Sequence, residues 1–411
     1  MTIKNTNIPT LRFAEFTDDW EVKKLGEIFQ IFNGYAFSSS QKTEFGILWV
    51  KIADVGIQEM EYGSLSYLPL DFKEKHKRFL LKNGDYVVAL TRPILNGSLK
   101  IARINNFFNN SLLNQRVGKI VSKNNTSFIY SFLQKSDLIK SIENNISGSD
   151  PPNLSPNEIN RIKFSIPTLP EQTKIANFLT AIDDKIQQLS EQKSLLEQYK
   201  KGIMQKIFSR EIRFKPNTAS EYPDWEEKSL GEVATFSKGK GISKMDIDEN
   251  GVFECIRYGE LYTFYGETIK EIKSKTSLSA KELVFSEYND VIIPASGETQ
   301  LDIATASCVL KDNVALGGDL NIIKTKLDGV WLSYYLNNCK KKDIASLAQG
   351  ISVVHLYASQ LKTLFISIPS LPEQQKIATF LTGIDEKING VKERLEATKA
   401  YKKGLLQVMF V

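Results

Sequence analysis

A 44-residue block occurs twice in this 411-residue chain, 202 positions apart, and that duplication constrains the fold more than any other feature. Ser165 to Phe208 reads SIPTLPEQTKIANFLTAIDDKIQQLSEQKSLLEQYKKGIMQKIF, and Ser367 to Phe410 reads SIPSLPEQQKIATFLTGIDEKINGVKERLEATKAYKKGLLQVMF. The copies agree at 24 of 44 positions, 17 of them in the first 22. A period of about 200 residues is far longer than the roughly 20 to 50 of a stacked solenoid. The chain is therefore two related halves, and whatever one half does the other is expected to do as well.

Both copies read as long helices. Thr168-Leu169-Pro170-Glu171 and Ser370-Leu371-Pro372-Glu373 have the form [ST]-x-x-E. This predicts a capping box, the hydroxyl accepting from the third helical amide and the carboxylate reaching back to the cap. Proline in the first turn forfeits no hydrogen bond. Apolar residues follow at spacings of three and four: Ile175, Leu179, Ile182, Ile186, Leu189, Leu196, Ile203 and Ile207, interrupted by Lys193 and Lys200. The second copy gives Ile377, Leu381, Ile384, Ile388, Val391, Leu395, Leu405 and Met409, interrupted by Thr398 and Lys402. That is a narrow a/d stripe of about five heptads. A helix of about 38 residues would be about 57 Å long at 1.5 Å per residue, more than one small domain can cover. The two helices are expected to pack on each other.

The stretch before each helix is a second, more diverged repeat. Asp19-Trp20 with Lys23, Leu25, Gly26 and Glu27 matches Asp224-Trp225 with Lys228, Leu230, Gly231 and Glu232. Weaker echoes follow, Val50-Lys51-Ile52 beside Ile256-Arg257-Tyr258 and Asn83 to Val88 beside Asn289 to Ile292. Short β-rich runs (YVVAL, GKIVS, DVIIPAS, LNIIKT) broken by Gly, Asn and Asp predict mixed α/β domains with many strands and long loops. A kept framework with differing loops is what two readers of different targets would look like, and drift after an old duplication gives the same picture.

Composition excludes several classes. At 42% hydrophobic and 25% charged the chain is ordinary for a globular protein, and a net charge of +5 permits a nucleic-acid partner without demanding one. Cys255, Cys308 and Cys339 have no CxxC spacing, against a disulfide framework or zinc site. No apolar leader or membrane-length run is present, so a cytoplasmic location is expected.

No catalytic centre, cofactor site or metal site is expected either. Asp150-Pro151-Pro152-Asn153 looks like the DPP[YFW] motif of amino-methyltransferases, but Asn153 stands where an aromatic would stack on the flipped base, and no glycine-rich cofactor turn precedes it. There is no GxxxxGK[ST] phosphate loop. Glu191-Gln192-Lys193 has a nuclease-like spacing but lies on a coil face, where such charges are solvated pairs. His76 and His355 are the only histidines, too few for most triads or zinc sites.

LPEQxKIAxFLxxIDxKI after a variable domain of about 160 residues, used twice with a DWExxxLGE-like opening, resembles the specificity (S) subunit of type I restriction-modification systems, across essentially the whole chain. The resemblance implies a fold of two mixed α/β target recognition domains joined by two long antiparallel coiled-coil helices, a pseudo-twofold internal repeat. The domains would be residues 1–164 and 210–366, the spacer helices residues 165–209 and 367–411. Each domain would read one half of a bipartite, asymmetric site on double-stranded DNA. The helices would dock methyltransferase (M) subunits, two of them, with restriction (R) subunits joining through the M–S core. Methylation of adenine would belong to M and cleavage to R, leaving this chain non-catalytic. Two other readings share these motifs: the DNA-binding subunit of a system with a fused methyltransferase-nuclease, and a non-catalytic coiled-coil scaffold.

For DNA contact, base readout calls for Arg or Lys on guanine, Asn or Gln on adenine, and small hydroxyls. In the first half the loops YAFSSSQK, TRPILNGSLK and SGSDPPN offer Tyr35, Ser39, Lys42, Arg92, Asn96 and Lys100. In the second half KGKGISK, SGETQ and QGISVVH offer Lys238, Lys240, Lys244, Thr299, Gln300 and Ser352. Arg92, Lys238, Lys240 and Lys244 are the foremost candidates for phosphate or base. The spacer and subunit-docking residues are Leu169, Pro170, Glu171, Gln172, Ile182 and Ile186, with Leu371, Pro372, Glu373, Gln374, Ile384 and Ile388 in the second copy.

Overall fold

The computed structural model describes residues 7–146, 151–155, 159–216, 221–350 and 353–411. They form two compact units, Met1–Ser190 with Glu393–Val411, and Glu191–Lys392. The first long helix runs Leu169–Phe208 and the second Leu371–Val408, so each helix is shared between the units.

Within the first unit, strand Glu21–Lys24 pairs antiparallel with Lys163–Ile166. A four-stranded antiparallel sheet follows in the order Gln30–Asn33, Val117–Val121, Tyr86–Ala89, Ile101–Arg103. A smaller sheet sets Ile47–Val50 antiparallel to Tyr67–Leu68 and parallel to Leu112–Leu113. Helices Thr126–Phe132 and Ser136–Ile146 come next.

The second unit repeats this plan. Glu226–Ser229 pairs with Phe365–Ile368. The main sheet runs Ala234–Lys238, Leu320–Thr325, Asp290–Pro294, Ser307–Val309, and gains Thr268–Ile269 at its far edge. Phe253–Ile256 pairs antiparallel with Ser274–Thr276 and parallel with Ala315–Leu316. The weak sequence echoes fall on this frame: Val50 and Ile256 end equivalent strands, and Val87-Val88 and Val291-Ile292 lie in equivalent, fully buried strands.

The a/d stripe supplies part of each core. In the first unit Ile175, Ala176 and Leu179 join Leu405, Leu406, Met409 and Phe410 around Trp20, Leu25, Phe128 and Phe132. In the second, Met204, Ile207 and Phe208 join Ile377, Leu381, Ile384 and Ile388 around Trp225, Leu230 and Trp331. At about 1.5 to 3 kcal/mol for each large apolar side chain taken out of water, these contacts make the helices inseparable from the domains they serve.

The capping-box expectation at the helix starts is corrected. Glu171 and Glu373 are 1% exposed, and their carboxylates are occupied elsewhere. Glu171 accepts from Arg12 Nε and Nη2 at 2.7 and 2.8 Å and from Trp20 Nε1 at 3.2 Å. Glu373 accepts from Arg213 Nε and Nη2 at 3.1 and 2.8 Å and from Trp225 Nε1 at 3.3 Å. Ser370 Oγ is buried without a hydrogen-bond partner. The capping role belongs to the other repeated glutamate: Glu27 accepts from the Lys24 amide at 2.9 Å and Glu232 from the Ser229 amide at 2.6 Å, closing the short helices Leu25–Ile28 and Leu230–Val233.

Candidate nucleic-acid interface

The two repeated motifs, distant in sequence, form one anchor. In DW the indole donates to the LPEQ glutamate, and the neighbouring arginine holds that glutamate in a two-pronged grip, the stronger kind of charge-assisted hydrogen bond. The glutamate in turn holds the Arg12 and Arg213 guanidiniums above their ordinary pKa. The glutamine of LPEQ ties the helix start to the domain's own helix. Gln172 Nε2 donates to the Pro167 carbonyl at 2.9 Å while its Oε1 accepts at 3.1 Å from the amide of Asn125, the N-cap of Thr126–Phe132. Gln374 does the same between Pro369 and the Asp328 amide, both at 2.8 Å. The neighbouring Leu169, Pro170, Leu371 and Pro372 are exposed, whereas Ile384 and Ile388 are buried and Ile182 and Ile186 half-buried.

From this anchored frame the candidate loops leave the strand ends. After Gln30–Asn33 the chain turns at Gly34, where a Cβ would lie 2.1 Å from the Leu113 carbonyl oxygen. After Ala234–Lys238 it turns at Gly239, where a Cβ would lie 2.0 Å from the Gly317 oxygen. Only glycine permits backbone that close. Tyr35 and Lys240 follow these glycines at equivalent places, both exposed. The Tyr35 ring rests on His76, Phe37 and Phe79 at centroid distances of 4.4, 4.9 and 5.4 Å, which makes it a rigid platform. Ser39 begins a 3-10 turn and Lys42 ends it, both exposed. Lys238 and Lys244 are exposed, and Lys240 Nζ reaches the Lys281 carbonyl at 3.5 Å.

Two of the three segments singled out in each half meet. Thr91 bridges Asn153, with Oγ1 donating to Asn153 Oδ1 at 2.8 Å, and the Arg92 amide donates to the Pro152 carbonyl. Ser296 pairs with His355 at the equivalent place, their Oγ and Nδ1 3.1 Å apart. Arg92 is exposed at φ 48°, and Asn96-Gly97, at φ 49° and 69°, turn the hairpin Ile94–Leu95/Ser98–Leu99 as a type I′ turn requires. Lys100 is the exception among the cations: its ammonium donates to the Ile52 carbonyl at 2.6 Å, and burial lowers its pKa. Thr299 caps the helix Gln300–Ile303 by accepting from the Asp302 amide, and Gln300 is exposed on its first turn. Ser352, with Ser147 to Asp150, lies outside the described residues.

The segment that joins these loops escaped sequence reasoning. Gln115 donates its amide to the Tyr35 carbonyl and Arg116 accepts from the Leu90 amide, so this exposed pair sits between the first two candidate loops. In the second unit Gly318 donates to the Gly241 carbonyl, the Asp319 carbonyl accepts from the Ala295 amide, and Asp319 Oδ1 accepts from Ser296 Oγ at 3.2 Å. The same backbone junction thus carries Gln-Arg in one half and Gly-Asp in the other.

Comparison with known proteins agrees with this doubled frame. The profile of the type I restriction modification DNA specificity domain matches twice, over residues 17–198 and 222–399. The chain belongs to this family. Its work is accordingly recognition of DNA sequence, without catalysis by the chain itself. It is 33% identical over 205 residues to the specificity subunit of the type I restriction enzyme MjaVIII of Methanocaldococcus jannaschii, an alignment spanning about half of each chain, 49% of this one and 48% of that one. It is 24% identical over 421 residues to the putative MjaX specificity subunit of the same organism, covering 99% and 96%. The crystal structure of a type I S subunit from M. genitalium shares the fold, with a TM-score of 0.63 at 15% identity over 98% of this chain and 99% of that one. No described helix is long and apolar enough to cross a membrane.

Proposed function

We propose that this specificity chain reads a bipartite, asymmetric site on double-stranded DNA, one half-site per recognition domain. The observation that carries the reading is the equivalence of the two frames with unlike chemistry at equivalent loop positions: Tyr35 against Lys240, Gln115-Arg116 against Gly318-Asp319, Thr91-Arg92 against Ser296-Gly297. Identical surfaces would read identical half-sites, and these differ. Tyr35, Ser39, Lys42, Arg92 and Asn96, joined by Gln115 and Arg116, form the first reading surface. Lys238, Lys240, Lys244, Thr299 and Gln300 form the second, and Ser352, outside the described residues, is a further candidate for the same half-site. Lys100 serves as a support for its loop, since its ammonium donates to the Ile52 carbonyl.

The recognition domains are residues 1–164 and 210–366, and the long helices pack antiparallel as a coiled-coil spacer with pseudo-twofold symmetry. The helix contacts support this. Lys402 pairs with Asp183 inside the first unit and Lys200 with Asp385 inside the second. Moving forward along the first helix from Asp183 to Lys200 therefore means moving backward along the second from Lys402 to Asp385. Two M subunits dock on the helices, around the exposed Leu169-Pro170 and Leu371-Pro372 corners, and R subunits join through that M–S core, in the cytoplasm. Methylome sequencing of a host expressing the chain with its M subunit tests the reading: a two-part asymmetric motif is expected, and a single continuous or palindromic motif would refute it.

A further inference from the structure

The lysines that interrupt the apolar stripe have a consequence for specificity. Lys402 is 2% exposed. Its ammonium contacts Asp183 Oδ1 at 2.6 Å, Gln134 Oε1 at 2.7 Å and Gln58 Oε1 at 3.1 Å, so its three donors bridge both long helices and the recognition part of the first unit. It also lies over the Tyr130 ring, 5.6 Å from the centroid. In the second unit Lys200 contacts Asp385 at 2.7 Å and Glu267 at 3.2 Å, over the Tyr334 ring at 5.1 Å, and the Tyr334 hydroxyl donates to Asp385. The constellations share the lysine–aspartate pair and the tyrosine ring beside it, the contact on the recognition side being neutral in one (Gln58, with Gln134) and a carboxylate in the other (Glu267).

That contact leads directly to the reading loops. Gln58, at φ 67°, donates its amide to the Ile101 carbonyl and bridges Ala102, in the strand beside Tyr86–Ala89. That neighbouring strand runs into Thr91-Arg92. Glu267 accepts from the Cys308 amide, in the strand beside Asp290–Pro294, which runs into Ser296. Apolar packing is non-directional and lets a helix settle at more than one height. A buried ammonium has one seat with all donors satisfied, and a buried polar group of this kind fixes register at some cost in stability.

We propose that Lys402 with Asp183, and Lys200 with Asp385, are specificity-determining positioning residues. Each pair sets how the recognition part of its own unit is held on the helices, and so governs the reading of one half-site only. This rests on the two-half-site reading above.

The test compares methylomes of hosts expressing the full M–S complex with wild-type chain, with Lys402→Met/Asp183→Leu, with Lys200→Met/Asp385→Leu, and with Gln58→Asn. Replacing both members of a buried ion pair by apolar groups is commonly neutral for stability, so melting temperatures of the double variants should stay near wild type. A purely structural role would then leave specificity untouched. The expected result is selective relaxation: the first double variant accepts single-base changes in one half of the motif, where discrimination is normally roughly tenfold or more per base pair, and keeps the other half and the spacing. The second double variant relaxes the opposite half. Gln58→Asn keeps the ion pair and tolerates a positive φ but falls short of Lys402, and should weaken the same half as Lys402→Met/Asp183→Leu; it decides the matter alone if the double variants do not fold. Wild-type selectivity at both halves, or equal relaxation of both, overturns the proposal. A wild-type methylome without a two-part motif would bring down the underlying reading as well, and is told apart by the wild-type arm.

Discussion

At the scale of single residues, the glutamate of LPEQ shows how a local motif can mislead. Its spacing from Thr168 or Ser370 satisfies a capping rule, yet the partner that claims it, Arg12 with Trp20 or Arg213 with Trp225, comes from about 150 residues away, and nothing local signals that. The repetition of DW was legible; that its indole and the LPEQ carboxylate are partners was not. Glu171→Ala or Glu373→Ala should cost about 3 to 5 kcal/mol, because a largely buried guanidinium and an indole N–H lose their acceptor. For a unit of this size that is about 10 °C in Tm. Differential scanning calorimetry checks it, and a shift within a degree of wild type would show the anchor to be dispensable. The DNA candidates were legible only as loops. Lys100 has the same residue type as the other candidate lysines, yet its ammonium is bound to the Ile52 carbonyl, whereas Gln115 and Arg116 lie beside a strand and carried no loop signal.

At the scale of elements, periodicity gave the long helices and the face they bury, because a narrow a/d stripe is a direct image of contact. It could not distinguish a gap in the stripe from a polar contact within it. Lys193 is half-exposed and pairs along its own helix with Glu197 at 3.2 Å, while Lys402 is buried in an ion pair. Burial lowers the Lys402 pKa and raises that of Asp183, which marks the cost of holding both charges out of water. The stripe's own members also differ. Ile384 is 5% exposed within the second unit's core and Ile182 only half-buried at the edge of the first. Ile384→Asp should therefore lose several kcal/mol by burying a carboxylate without a partner, with loss of M co-purification. Ile182→Asp should be milder, since its carboxylate can turn toward water. Thermal melts and pull-down with M read both, and equal effects would contradict the burial difference.

At the scale of the whole molecule, the duplication was readable from the sequence because the helices kept their identities, and the equivalence of the diverged domains, hinted at by weak echoes, became plain as matched strand order. A purified chain should transfer no methyl group from labelled S-adenosylmethionine to DNA, since the proposed function assigns the chemistry to the M subunit; incorporation above background by the isolated chain would reverse that assignment.

Modularity is the stronger consequence. Because strand Lys163–Ile166 pairs with Glu21–Lys24, the first recognition domain should be exchanged as residues 1–168 rather than cut inside that strand. Exchange for the equivalent block of a related chain should change one half of the methylated motif and leave the other half and the spacing intact. Inserting four residues in each long helix, between Asp183 and Lys200 and between Asp385 and Lys402, should have the opposite effect. Four residues add about 6 Å and roughly one turn, which preserves the packed face and corresponds to about two base pairs at 3.4 Å each. The methylome of the lengthened chain should then show both half-sites unchanged and the gap wider by about two. A domain exchange that altered both half-sites together, or an insertion that altered the half-sites and not the gap, would show that recognition and spacing are not separable in this fold.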